Sequence, residues 1–340
     1  MPLIDSGHIR LVNKLTFRKV WNAVLLLISY HYSRISGYNI QRGWPMSLAI
    51  EPTTACNLRC PECPSGLRSF TRPTGNLKQE GFRSLIDQLK GTALYLTFYF
   101  QGEPYINPDF LEMVSYASSN GLITSTSTNA HFLSDEMAKK TVESGLDRLI
   151  ISIDGTDQET YESYRIDGEL AKVMEGTENI VKWKRKLNSK SPEVVFQFLV
   201  VKPNEHQIDD VKALGEKLGV DKVVLKSAQI YDYEFGHELI PDNAKYSRYK
   251  KNKDGTWSIK NELKNQCWRM WSSCVVTWDG DVVPCCFDKD ARHKMGNAFT
   301  SSFREIWRSA PYNSFREAVL LGRDQIEICR NCSEGTRVWV

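Results

Sequence analysis

Between Cys63 and Cys267 the chain has no cysteine, although its 340 residues carry nine. Thiols confined to two short stretches are not the distributed framework of a disulfide-stabilised secreted protein. No secretory cleavage pattern is present either, so reduced, metal-binding thiols in a cytoplasmic setting are the expectation. Charge of one sign is also lacking: 44 basic residues face 41 acidic ones, a net of +3, which argues against a nucleic-acid footprint built on net charge. Long apolar runs are missing as well, because the uncharged stretch at residues 20–33 falls short of the roughly 20 residues that a spanning helix needs.

What is present is enough for one large core and a smaller appendage, since 41% of the residues are hydrophobic. The expected regions are an N-terminal helical extension (1–45), a barrel (46–230), a connecting segment (231–262) and a C-terminal cysteine-rich domain (263–340). Residues 11–38 read as a helix with Phe17, Val20, Trp21, Val24, Leu25, Leu27, Ile28 and Tyr32 apolar, flanked by Arg10, Lys14, Arg18, Lys19 and Arg34. So much apolar surface calls for a partner: the body of the protein, another subunit, or the surface of a membrane such as the inner membrane.

The middle of the chain alternates strand and helix patterns. Strands are expected near 48–51, 94–100, 123–127, 148–152, 194–201 and 222–226, and helices near 79–89, 108–119, 135–144, 171–187 and 208–218. That alternation signals a parallel sheet with crossover helices, and six such units make an open barrel. The expected fold is therefore α/β, a partial (β/α)6 TIM-like barrel with a small C-terminal cysteine-rich α+β auxiliary domain. Ligands gather at the C-terminal ends of such strands.

After the first strand comes Cys56-Asn57-Leu58-Arg59-Cys60-Pro61-Glu62-Cys63. Three thiols at this spacing can wrap one inorganic centre but supply no fourth thiolate, whereas four-iron clusters are normally held by four. A zinc site borrowing a fourth ligand, or a set of core cysteines, is the competing reading. The pattern resembles the radical S-adenosylmethionine enzymes. The resemblance implies a [4Fe-4S] cluster on Cys56, Cys60 and Cys63, whose open iron is chelated by S-adenosylmethionine and whose electron yields a 5′-deoxyadenosyl radical. Glu62 departs from the family, which frequently has an aromatic residue there.

The other strand ends fit the same resemblance. Gln101-Gly102-Glu103-Pro104 resembles the glycine–glutamate–proline motif that meets the methionine amino group, with Gln101 where another glycine is frequent. Ser127-Thr128-Asn129-Ala130 is similar to the family's threonine–asparagine turn, and Ser127 and Asn129 are expected to face ribose or carboxylate. Strand alternation puts Ser152 and Asp154 on one side, and Arg165 resembles the arginine that pairs the methionine carboxylate. Each motif alone is more often a turn or cap. Their order at successive strand ends is what carries the reading. Val201 could line the adenine and Lys202 or Lys226 could reach the mouth of the barrel, with a buried valine and solvated lysines as the simpler alternative. The charged run at 250–255 reads as an exposed loop.

The C-terminal segment holds Cys267, Cys274, Cys285, Cys286, Cys329 and Cys332, with a hairpin signal at Trp278-Asp279-Gly280-Asp281 between strands at 275–277 and 281–283, and a helix at 303–307. It resembles the SPASM/twitch auxiliary domains of the same superfamily. The resemblance implies a second [4Fe-4S] cluster on Cys267, Cys285, Cys329 and Cys332, with zinc on the same sulfurs as the competing reading and an exchange of Cys285 for Cys286 left open. Cys286, placed where some relatives keep a proton acceptor, or Asp288 two positions on, is a candidate for acid–base work. A packing cysteine and a surface aspartate are the alternatives.

Two clusters imply hydrogen abstraction from a substrate, an auxiliary centre for electron transfer, and a reductant such as flavodoxin or ferredoxin. Oxidation of a small molecule is the favoured reaction, because the segment before the barrel is short for a leader-recognition domain. Modification of a peptide is the alternative, and a non-catalytic iron–sulfur scaffold is the reading from another class.

Overall fold

The computed structural model describes residues 12 and 14–335. Residues 11 and 13 of the expected N-terminal helix, Arg10 before it, and residues 336–340 of the expected C-terminal region lie outside the described residues.

In chain order the elements are α1 (Phe17–Ser36), β1 (Ser47–Ile50), α2 (Pro64–Leu67), α3 (Gln79–Leu89), β2 (Tyr95–Thr97), α4 (Phe110–Ser119), β3 (Ile123–Thr128), α5 (Asp135–Glu143) and β4 (Arg148–Ser152). Next come α6 (Gln158–Tyr164), α7 (Leu170–Lys186), β5 (Glu193–Val200), α8 (Ile208–Leu218), β6 (Lys222–Ser227), β7 (Tyr249–Lys251) and β8 (Trp257–Ile259). The C-terminal part holds α9 (Trp268–Ser272), β9 (Ser273–Val276), β10 (Asp281–Val283), β11 (Gly296–Asn297), α10 (Phe303–Trp307), α11 (Ala310–Gly322) and α12 (Glu327–Arg330). The pairs β1–β2, β2–β3, β4–β5 and β5–β6 are parallel, with helices in the crossovers, which is the partial (β/α)6 barrel expected from the alternation.

Two compact units interleave along the chain. The first takes the residues up to Thr54, Thr71–Ser125 and those from Leu263 onward; the second takes Ala55–Phe70 and Thr126–Glu262. Hydrogen-bonded order in the first unit is β11, β10, β9, β1, β2, β3. The cysteine-rich hairpin thus joins the sheet through β9, which runs parallel to β1 with Cys274 opposite Leu48. Cys274 is buried there, and burial pushes its thiol up while the nearby Arg316 opposes the shift, as befits a core cysteine. In the second unit β4, β5 and β6 follow one another over a core of Leu58, Tyr164, Val201, Ile230 and Tyr249.

Helices form where their apolar spacing matches the helical period. In α3, Phe82, Leu85, Ile86 and Leu89 share the buried face. Three local expectations change. The strand near 94–100 is shorter, β2 at Tyr95–Thr97, with Leu94 and Phe98 adding flanking backbone bonds to Met46 and Ser125. The charged run at 250–255 is largely exposed as expected, but it is the end of β7 and the turn of the hairpin β7–β8 rather than a loop: Asp254 accepts from Thr256, and buried Tyr249 exchanges hydrogen bonds with both Ile230 backbone groups. The helix α11 has no counterpart among the expected elements.

At the end of β1, buried Glu51 meets Arg72 in a two-pronged pair, at 2.8 Å and 2.5 Å, and also accepts from the Trp278 backbone at 3.3 Å. Burial holds its carboxyl above the ordinary range, and Arg72 opposes that shift. The substitution Arg72→Met strands this carboxylate and is expected to cost roughly 3–5 kcal/mol. The deficit should be full at pH values above the raised folded-state pKa and shrink as pH falls and the carboxyl becomes neutral. Denaturant unfolding across pH measures both; an unchanged midpoint at neutral pH would contradict the assignment.

Candidate active site and metal centres

Cys56, Cys60 and Cys63 stand on one loop of the second unit, with Cys60 buried and the other two partly exposed. Leu58 and Cys60 anchor the loop in the core, and Cys56 and Cys63 pack at its margin. The loop turns on itself where Cys63 N–H donates to Cys60 carbonyl at 3.3 Å, and Arg59 N–H fixes it to Ile166 carbonyl at 3.0 Å. Gly66 closes against it: a β-carbon there would lie 2.6 Å from both the nitrogen and the oxygen of Cys60, so only glycine permits this approach.

Around these sulfurs the second unit gathers Arg165, Asp154 and Asn129 of the expected site residues, and it places Ser127 beside Ser152. Arg165, just after α6, donates from Nε to Asp154 Oδ2 at 2.5 Å and brings Nη1 to 3.6 Å from Cys60 Sγ. Asp154 is fully buried, and its other oxygen accepts from Leu199 N–H at 2.7 Å. With both oxygens engaged, Asp154 is a holder of Arg165. Burial pushes the Cys60 thiol up, and the Arg165 cation pulls it back toward thiolate. Asn129 Nδ2 donates to Asn57 Oδ1 at 2.8 Å and lies 3.9 Å from Cys56 Sγ, while Leu58 N–H reaches that sulfur at 3.4 Å. Ser127 and Ser152 hydroxyls are 3.4 Å apart.

Other expected residues divide. Glu103, with Gly102 and Pro104, belongs to the first unit, where its buried side chain caps the 3-10 turn Pro104–Ile106 by accepting from Tyr105 N–H at 3.4 Å. Val201 is core, Lys202 pairs with Asp242 on the surface at 3.0 Å, and Lys226 is exposed on β6. Glu62 accepts from Tyr231 N–H at 3.0 Å, which sets the Tyr231 phenol beside the loop. Burial, then the neighbouring Cys63 and Glu62, push that phenol up. Sequence reasoning missed Tyr231, whose only signal is an aromatic run.

In the first unit Cys267, Cys285, Cys329 and Cys332 line one cavity, together with Arg323 and the apolar side chains of Met270 and Phe287 among others. Three donors address its sulfurs: Phe287 N–H to Cys285 at 3.4 Å, Glu334 N–H to Cys332 at 3.3 Å, and Arg323 Nη2 to Cys332 at 3.2 Å. Arg323 is almost wholly buried, and its Nε has no hydrogen-bond partner among the described residues. A buried cation with an unspent donor suits a negatively charged thiolate-bound cluster. Burial pushes the Cys285 thiol well up and Cys329 to about 12, so binding an inorganic centre here requires losing protons that the protein alone retains. Gly335 is the cradle under Cys267: at φ +78°, a β-carbon would meet Cys267 Sγ at 2.5 Å.

Cys286 is not among the cavity's lining residues. It packs against the cluster of Val275, Val283 and Ala291, with the Arg269 guanidinium 4.0 Å from its sulfur and Glu334 bonded to that arginine at 2.7 Å. Asp288 is neither a surface residue nor a free base: it is buried, and its two oxygens accept from Arg292 and His293 backbone N–H at 2.8 Å each, fixing the turn after the ligand loop. Arg269 and Arg323 were missed as well, because nothing in their sequence neighbourhood marks them as facing sulfur.

The sequence matches the Radical SAM superfamily over residues 50–218 and SPASM, an iron–sulfur cluster-binding domain, over residues 267–333. It is similar to the tungsten-containing aldehyde ferredoxin oxidoreductase cofactor-modifying protein of Pyrococcus furiosus, 27% identical over 299 residues that cover 79% of this chain and 82% of that protein. It is similar also to the mycofactocin maturase MftC of Mycobacterium ulcerans, 25% identical over 302 residues that cover 82% of this chain and 79% of that protein. Among solved structures, Streptococcus suis SuiB bound to S-adenosylmethionine superposes with a TM-score of 0.62 at 15% identity, over 84% of this chain and 71% of that one. SuiB bound to precursor peptide SuiA gives 0.61, also at 15% identity, over 84% and 70%. At that identity the likeness is one of fold. The chain belongs to the radical SAM superfamily, and is an enzyme with a [4Fe-4S] site for S-adenosylmethionine and a C-terminal SPASM-type auxiliary iron–sulfur domain.

Proposed function

We propose that this enzyme modifies a precursor peptide by hydrogen abstraction. The observation that carries the reading is the similarity, over 82% of this chain and 79% of that protein, to MftC, which is named a maturase. The fold supports it, being shared with SuiB, a protein solved bound to a precursor peptide. Oxidation of a small molecule, the reaction favoured from the sequence, is the reading that this similarity displaces.

In this reading Cys56, Cys60 and Cys63 hold the first cluster, and Cys267, Cys285, Cys329 and Cys332 hold the auxiliary one. When bound, the first cluster with S-adenosylmethionine would supply hydrogen-abstracting chemistry and the auxiliary cluster would supply an electron acceptor. The chain's own residues bind and orient. Glu103, between Gly102 and Pro104, accepts from the methionine amino group. Ser152 and Arg165 meet its carboxylate, while Asp154 keeps Arg165 in place, and Ser127 and Asn129 serve the ribose side. The barrel spans 46–230 and the connecting segment 231–262 leads to the auxiliary domain at 263–340. Enzymes of this superfamily draw electrons from an external reductant, here a flavodoxin or ferredoxin in a reducing cytoplasm.

Anaerobic incubation of the reconstituted enzyme with S-adenosylmethionine, reductant and peptides encoded beside its gene tests the substrate class. The expected product lacks two hydrogens: one leaves as a hydrogen atom into 5′-deoxyadenosine, the other as a proton with an electron passing to the auxiliary centre. Turnover of a hydroxylated small molecule with no peptide modified would overturn the reading. For the ligands, Cys286→Ala should keep about eight irons per chain and Cys285→Ala only about four. Iron and sulfide assays with electron paramagnetic resonance decide, and the opposite pattern would exchange the ligand.

A further inference from the structure

Helix α1 is amphipathic in the reverse sense. Its buried face is largely polar, made of Lys19, Asn22, Leu26, Ser29, Tyr30 and Ser33. Lys19 Nζ donates to Gly121 carbonyl at 2.6 Å, and Asn22 exchanges hydrogen bonds with the Trp44 backbone at 2.9 Å and 2.8 Å. Ser29 Oγ accepts from Arg42 N–H at 2.8 Å and Ser33 Oγ from Ile40 N–H at 2.9 Å. Bonds from a polar face to specific backbone groups fix the rotation of the helix about its axis.

The apolar residues are thereby turned outward. Phe17 is 85% exposed, Trp21 53%, Ile28 60% and Ile35 80%, with Val20, Val24 and Tyr32 also exposed. Their spacing of three and four residues makes one continuous stripe along the helix. A contiguous stripe of this kind marks an interaction surface, which scattered apolar residues would not. Among the described residues no helix is long and apolar enough to cross a membrane.

Charge selects the occupant. Residues Phe17–Ser36 include no Asp or Glu, while Arg18 and Arg34 are exposed at the two ends. Beyond the C-cap, Arg42 and Arg308 line a polar pocket with Asn39, Gln41, Asn313 and Glu317. Trp21, Tyr32 and the exposed Tyr38 are the amphipathic aromatics favoured at a lipid–water boundary. A second copy fits less well, because two such helices would face cation with cation and no carboxylate between them.

We propose that α1 is an interfacial anchor that lays this stripe into an anionic lipid bilayer, with its arginines among the headgroups. Flotation of the full-length, cluster-loaded protein with vesicles of equal parts phosphatidylglycerol and phosphatidylcholine is the test. Wild type should float, and binding should weaken several-fold on pure phosphatidylcholine or when salt rises from about 0.05 M to about 0.5 M. The combined Phe17→Ser, Ile28→Ser and Ile35→Ser variant should lose at least about tenfold in binding, since apolar area entering lipid drives it. Its iron content and 5′-deoxyadenosine formation should stay at the wild-type level, which shows that it folds. No flotation of wild type, equal flotation of the variant, or a dimer in light scattering that the variant converts to a non-floating monomer would each overturn the proposal.

Discussion

A guanidinium aimed at a ligand-type sulfur is the constraint on which each candidate centre depends. In the second unit Arg165 stands between the buried Asp154 carboxylate and Cys60 Sγ. Each of the two acidic groups would be costly to bury in its charged form without the cation, and the cation would be costly without them. In the first unit Arg323 plays the matching part toward Cys332, with further bonds from Nη1 to Gln266 carbonyl at 2.9 Å and from Nη2 to Glu334 carbonyl at 2.8 Å. Both arginines are bonded elsewhere before they reach sulfur, so the direction of the charge is set by the fold.

The backbone adapts to the same requirement. Gly66 brings α2 against Cys60, and Gly335 lets the chain close over Cys267; a side chain at either position would occupy space that the cysteine already fills. Amide donors on Leu58, Phe287 and Glu334 complete each arrangement with bonds to Cys56, Cys285 and Cys332 respectively. Donors of this kind tune a thiolate-bound centre.

What was legible in the sequence was what is encoded within a few residues. The cysteine loop, the order of strand-end motifs and the alternation of strands and helices are local, and the barrel with its cysteine-rich C-terminal domain followed from them. Partners separated along the chain were not legible. Tyr231 reaches the loop through Glu62, Arg323 reaches Cys332 through the fold, and Asp288 is spent on its own turn. The helix α1 shows the limit most plainly: its apolar residues could be counted, but their outward direction depends on where Lys19 and Asn22 find carbonyl partners. The run at 250–255 misled for the opposite reason, since its charge masked a hairpin held by Tyr249.

The central claim is a division of labour, with S-adenosylmethionine cleavage at the loop of three cysteines and completion of the oxidation at the C-terminal centre. Measuring 5′-deoxyadenosine and modified peptide together in the Cys329→Ala, Cys332→Ala double variant tests it most directly. The account predicts that 5′-deoxyadenosine still forms while the modified peptide disappears. Modified peptide at the wild-type ratio to 5′-deoxyadenosine would contradict it.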